Sequence, residues 1–457
     1  MPLTALRPHL KPTMLLAYPV VLSQLGHVLV NVCDSVMVGQ TGKVPLAAVS
    51  LGVSVNTVVM VLGLGLSMGI TPLVAAADGK RDVPQLGRLL VAGVWLSVVA
   101  GLVLAAAGLL IAPLLGYLRQ PAEVVALAAP WVRVLFLSLL PLMVFQGFKQ
   151  FAEGLGLTRQ AMYLSVLANV LNALLCYLLI FGHFGAPRLG MMGAAWATLI
   201  ARVLMAVFMG TYILRAARLR PYREAASHWL RPDGATLRRL LGLGSPIGVQ
   251  MMFEMGAFSF SAIMIGWLGA TSLAAHQIAI NVASVTYMAA SGIAAAATIR
   301  VGKFRGLADA EGSRQAGFAA YLLTFLFMSF MGLLLVVFRQ FIPHFYNHDA
   351  AVVAQASGLL LIAAAFQVSD GLQVVGLGAL RGLEDVKVPS VVALLAYWVV
   401  ALPLGYLLGF GLKLGSLGVW LGLLTGLTLV AGALIWRFRQ HSAVPVVAPR
   451  PTTAALR

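Results

Sequence analysis

Apolar runs long enough to cross a bilayer recur from one end of the chain to the other. Val55–Ala77, Leu89–Pro113, Met162–Phe181, Leu322–Phe338 and Val391–Leu412 carry no Asp, Glu, Lys or Arg. About 20 such residues in a helix span a hydrocarbon layer of roughly 30 Å. The whole pattern predicts about twelve spans of this kind. The alternation of barrel strands is absent, and lipid offers the backbone no water, so the spans are predicted to be helices. Met14–Val38 is too long for a signal-peptide core and lacks a small-residue cleavage site. It is therefore read as a retained first helix.

Composition agrees: 60% of residues are hydrophobic, 10% are charged, and the mean hydropathy is +0.94. A soluble domain usually holds about 25% charged residues. The formal charge of +17, from 31 Lys+Arg against 14 Asp+Glu, would suggest nucleic acid if it were spread over a soluble surface. Its placement argues otherwise. Basic residues gather in every second loop: Lys80, Arg81 and Arg88; Lys149 and Arg159; Arg215 to Arg239; Arg300 to Arg314; Arg381 and Lys387; and Arg437 onward. The loops between hold few, such as Lys43, Arg188 and Lys413. Such asymmetry predicts an inner-membrane protein with both termini in the cytoplasm and no nucleic-acid partner. Cys33 and Cys176 both lie in apolar spans and offer neither a disulfide framework nor metal-ligand spacing.

One long polar interruption, Arg215 to Arg239, divides the chain into near-equal parts. The expected organisation is a six-helix lobe over 1–214, a basic linker over 215–239, a second six-helix lobe over 240–440 and a tail over 441–457. The halves resemble each other. Setting Pro19 on Pro246 also sets Met37 on Met264, Gly39 on Gly266, Gly42 on Gly269, and Leu46-Ala47-Ala48 on Leu273-Ala274-Ala275. One residue further in register, Gly154-Leu155 falls on Gly382-Leu383. An even number of spans per half makes these parallel repeats, a plan that places a substrate site between two bundles near mid-membrane.

Polar residues inside the spans carry the candidate chemistry. Gln24, His27, Asn31 and Asp34 stripe one face of the first helix. A carboxylate at that depth needs water, a cation or a partner, so Asp34 is a functional candidate. In the seventh helix Gln250, Glu254 and Ser261 share a face, and the repeat sets Glu254 on His27 and Ser261 on Asp34. Asp370 and Gln373 lie together in the tenth. Two carboxylates brought close in a medium of low dielectric repel each other, and one proton or one Na⁺ relieves the repulsion. Glu254 and Asp370 are accordingly the expected cation pair. Asn169, Asn172 and Thr198 would form a neutral lining near Asp34, and Gln277 and Asn281 another stripe in the eighth helix. Arg202, midway along the sixth, is a candidate partner for Asp34. Met251, Met255, Phe258 and Phe366 would offer a soft apolar pocket. No Walker loop, HExxH or GxSxG is present, so the chain is not read as an enzyme.

The segments Asp34-Ser35-Val36-Met37-Val38-Gly39, Ala274-Ala275-His276-Gln277-Ile278-Ala279 and Asp370 through Gly382 resemble the multidrug and toxic compound extrusion (MATE) family, most nearly its NorM-type branch. The resemblance covers essentially the whole chain. It implies twelve helices in two lobes and antiport of amphipathic or cationic small molecules against Na⁺ or H⁺, by a monomer without a cofactor. It also implies cation-binding roles for Glu254 and Asp370 in the second lobe and for Asp34 in the first. Phe366 stands where NorM-type sequences often have Tyr, which removes one oxygen from the expected Na⁺ site. The alternative on the same two-lobe plan is a flippase for lipids or lipid-linked saccharides. Such a carrier would be expected to line its cavity with cations for phosphate.

Overall fold

The computed structural model describes residues 3–118, 121–226, 229 and 231–443, without the side chains of Leu3, Asn31 and Leu118. The expected tail lies outside the described residues from 444 onward. Among the described residues twelve helices are long and apolar enough to cross a membrane. In the first half these are α1 (Thr4–Gly39), α2 (Lys43–Lys80), α3 (Val83–Tyr117), α4 (Ala122–Gly154), α5 (Thr158–Phe181) and α6 (Met191–Arg215). In the second they are α7 (Gly234–Gly266), α8 (Ala270–Gly306), α9 (Ala310–Phe338), α10 (Ala350–Gly382), α11 (Lys387–Gly411) and α12 (Ser416–His441). Residues 234–239, expected in the linker, already belong to α7, whose start is capped by Asp233 accepting from the Ala235 and Thr236 amides.

The repeat is written into the backbone as well as the side chains. Gly42 and Gly269 open α2 and α8 at φ 132 and 109, and Gly190 and Gly415 open α6 and α12 at φ 56 and 61. These are angles that only glycine adopts at little cost. Asp82 and Asp309 cap α3 and α9 by accepting from the Gln85 and Gly312 amides, each cap contributing about 1 kcal/mol. The α4–α5 turn uses Gly156 in a left-handed conformation, whereas its repeat partner Glu384 adopts φ 60. The Glu384 carboxylate is held by Arg239 at 2.6 Å and Arg305 at 3.0 Å.

Two apolar cores form, one centred in each half, the first also taking in Leu240, Leu243 and Ile247 of α7 and the second Ala17 of α1, and the close contacts between the lobes gather at the end that carries the basic loops. There α2 crosses α7 so closely that a methyl group on Gly65 or Gly69 would strike the backbone of Gly248 or Gly244. The symmetry-related crossing sets Gly292 of α8 against Ala17 and Val21 of α1, and Gly306 against the Ala76 carbonyl of α2. Lipid supplies no hydrophobic drive between helices, so small residues that permit backbone contact do this work. Polar links lie in the same region. Lys303 pairs with Asp78 at 2.8 Å, Arg300 donates to the Thr13 hydroxyl at 2.8 Å and to the His9 carbonyl, and Gln24 donates to Ser291 at 3.1 Å. Beyond these contacts the faces that met are bared: Val28 of α1, Val58 of α2, Met255 of α7 and Val285 of α8 are all exposed. The lobes thus enclose a cleft that is shut at the basic end and open at the other.

Candidate functional site

The second lobe gathers its polar side chains onto one carboxylate. Glu254 lies two turns past Pro246 on α7. Its Oε1 accepts from the Tyr397 hydroxyl at 3.0 Å and the Gln373 amide at 3.1 Å, and its Oε2 accepts from the Gln250 amide at 3.2 Å. The Tyr397 hydroxyl also reaches Gln373 Oε1 at 2.9 Å. Arg381 extends the chain toward the basic end, donating to Gln250 Oε1 at 3.4 Å. Asp370, 6% exposed, lies on α10 between Gln367 and Gln373 and is an electrostatic neighbour of Glu254. Helices α7, α10 and α11 thus bring two carboxylates, a phenol and two amides to one buried place. The oxygens of Glu254, Asp370, Gln373 and Tyr397 are hard donors, a chemistry suited to a proton or a hard cation.

Phe366 stands outside this cluster. It packs edge-on against Phe258 and Trp420, at 6.1 and 5.2 Å between ring centroids, and the Trp420 indole donates to His276 at 3.1 Å. The hydroxyl that Phe366 lacks has a counterpart in Tyr397. Sequence reading passed over Tyr397 because it sits in a near-continuous apolar span. A signal was present nonetheless: the register that sets Gly154 on Gly382 sets Asn169, a flagged residue, on Tyr397. Around Tyr397 the helix widens into a π-helical segment, Ala396–Ala401, a form that recurs at functional sites. Ser261 is fully buried and donates back to the Ala257 carbonyl at 2.9 Å, outside the cluster.

The first lobe is arranged differently. Asp34 has Cys176 as a hydrogen-bonding neighbour and Arg202 as an electrostatic one, while its buried Oδ1 has no partner among the described residues. The Cys176 thiol lies 3.9 Å from Asn172 Oδ1. Arg202 donates to the Ser138 hydroxyl at 2.7 Å, and among the described residues no ion pair joins it to Asp34. Ser138 marks the break between the two segments of α4. Asn169 is buried beside Gly26, its Nδ2 without a partner. His27 has Lys149 and Arg202 as electrostatic neighbours, and Lys149 pairs with Glu153 at 3.7 Å. Thr198 donates to the Ala194 carbonyl of its own helix. Gln24, grouped by spacing with Asp34, instead spans the lobe interface to Ser291. The stripe turns far enough over its length that its first member meets α8. The Asn31 side chain lies outside those described.

Gln277 and Asn281 belong to neither buried cluster. They are exposed on α8, joined to each other at 3.1 Å, on the side of the cleft. Met251 and Met255 continue the α7 face that carries Gly244 and Gly248, which brings them to the cleft just past the lobe contact.

Known proteins resemble this chain in sequence and in fold. The family model described as MatE matches residues 19–178 and 246–407, one block in each half. The chain is 38% identical over 441 residues to "Probable multidrug resistance protein NorM" of Rhodopseudomonas palustris, covering 96% of this chain and 93% of the relative. It is 36% identical over 448 residues to "Multidrug resistance protein NorM" of Burkholderia vietnamiensis, covering 97% and 96%. Among solved structures, "Crystal structure of MATE in the straight conformation" superposes with a TM-score of 0.87 at 22% identity, covering 95% of this chain and 96% of that one. "Outward-facing conformation of a multidrug resistance MATE family transporter of the MOP superfamily" gives 0.85 at 22% identity, covering 96% and 97%.

Proposed function

The chain belongs to the MatE family, and on that premise we propose that it is a multidrug efflux antiporter of the inner membrane, expelling organic cations and other amphipathic xenobiotics in exchange for Na⁺ or H⁺. The basic loops face the cytoplasm in this reading, so both termini are cytoplasmic and the cleft opens outward. The observation that carries it is the Glu254 cluster, a half-buried carboxylate held inside the second lobe with an anionic neighbour in Asp370. An incoming cation relieves the repulsion between the two carboxylates and lowers the cost of sealing the second lobe from water. Substrate and ion then favour opposite states, which is the condition for exchange, because a ligand with equal affinity for both states shifts nothing. Asp34, with Asn172, Cys176 and the Arg202 charge nearby, forms a second cation site of different character in the first lobe.

The test is dye efflux from a pump-deficient strain expressing the chain, with Na⁺ and H⁺ gradients imposed separately. The reading expects efflux under at least one gradient. No dye movement under either, together with translocation of a labelled lipid, would replace it with the flippase.

A further inference from the structure

The open part of the cleft carries two polar stripes related by the internal repeat. On α2 these are Ser50, Ser54 and Thr57, and on α8 they are Gln277, Asn281 and Ser284. The register that sets Pro19 on Pro246 pairs them one to one. Both stripes are directed at the opposite lobe. Ser54, Val58, Val61 and Gly65 share one face of α2 at successive-turn spacing, and Gly65 is the residue that meets Gly248 of α7. Likewise Gln277, Asn281, Ser284, Met288 and Gly292 share a face of α8, and Gly292 meets α1. Val58 and its repeat partner Val285 are 53% and 56% exposed, so the same faces lie bare once the helices part.

The hydrogen bonds of the two walls set their chemistry. The hydroxyls of Ser50, Ser54 and Thr57 donate to the carbonyls of Leu46, Ser50 and Val53 at 2.9, 2.9 and 2.8 Å. Their hydrogens are spent, and only acceptor lone pairs remain toward the cleft. On α8 the Gln277 amide donates to Asn281 Oδ1 at 3.1 Å, leaving the Gln277 carbonyl as an acceptor and the Asn281 N–H groups as donors. The carboxylates are elsewhere, with Glu254 held inside its lobe by Tyr397, Gln373 and Gln250.

We infer that Ser50, Ser54 and Thr57, opposite the Gln277 carbonyl, are substrate-contacting specificity residues that select molecules bearing N–H or O–H donors, through neutral acceptors rather than charge. This rests on the efflux reading for its choice of ligand but not for its test, which needs no transport. Binding of two cationic probes to the purified chain in nanodiscs is measured by equilibrium titration. Ethidium carries two primary amines, whereas tetraphenylphosphonium has the charge and apolar area but no donor. Ser50→Ala/Ser54→Ala/Thr57→Val is expected to weaken ethidium about tenfold, the scale of losing one or two neutral hydrogen bonds, and tetraphenylphosphonium by less than about twofold, within the scatter of a surface change. Ser54→Thr retains the hydroxyl and should bind both like the parent. Equal weakening of both probes, no change in either, or no binding of either by the parent chain would overturn the inference. A parent chain that binds both yet moves neither would instead remove the antiport reading and leave the inference standing.

Discussion

The Tyr397 phenol on α11 donates to Glu254 Oε1 on α7 at 3.0 Å, and the Gln373 amide of α10 reaches the same oxygen at 3.1 Å. One carboxylate oxygen therefore fastens three helices of the second lobe, and loading it with a cation must loosen or redirect two donors. On the proposed ion role of Glu254, ion binding is thereby tied to helix position.

Removing the phenol tests that tie. A hydrogen bond to a charged group contributes about 1.5–3 kcal/mol, so Tyr397→Phe should alter apparent affinity for the coupling ion roughly 10- to 100-fold. The ring keeps its edge contact with Phe258, so the melting temperature in detergent should fall by no more than a few degrees, the scale of one lost hydrogen bond. Ion-dependent transport kinetics together with a thermal melt check both halves of the expectation.

The lobe contact at the basic end should open during turnover. A Cβ at Gly302 would lie 3.1 Å from the Ala75 side chain, close to the 3.5–4.5 Å that a disulfide spans between its Cβ atoms. In a background lacking Cys33 and Cys176, Ala75→Cys/Gly302→Cys should cross-link on oxidation, stop transport, and recover on reduction. Asp78→Asn breaks only a solvent-facing pair with Lys303, a class of contact that contributes about 0–1 kcal/mol, so transport should change little. Transport that continues through the cross-link would show that this contact is static.

In the first lobe Ser138 is the hydrogen-bond acceptor for the half-buried Arg202 guanidinium, at the break in α4. Ser138→Ala leaves that donor without its partner, at about 1–3 kcal/mol. Differential scanning fluorimetry should show a melting temperature lowered by a few degrees, as expected for a loss of that size in a chain this long. An unchanged melt would mean that Arg202 finds Asp34 instead.

How far the sequence foretold this arrangement depends on the length over which each signal acts. Span number and the repeat were legible because hydropathy and periodic matches accumulate over many residues, as with Pro19 against Pro246 and Gly42 against Gly269. Glu254 and Asp370 stood out because a carboxylate in an apolar run is costly. Their meeting depends on helix crossings that no local pattern encodes, as does the recruitment of Tyr397 from an apolar span. The case of Gln24 shows the same limit: helical spacing places it with Asp34, and only packing reveals that its level of α1 meets α8. Ser50, Ser54 and Thr57 escaped notice because hydroxyls bonded to their own helix read as ordinary span residues until the cleft shows which face is bare.

Purified protein in liposomes, with dye transport driven by an imposed Na⁺ or H⁺ gradient and dye binding measured separately, tests the ion role of the Glu254 cluster most directly. For Glu254→Gln the account predicts gradient-driven transport reduced at least about tenfold, the effect of removing a charge worth more than ~1.4 kcal/mol, with dye binding retained. Glu254→Gln transporting at the parental rate under the same gradient would contradict it.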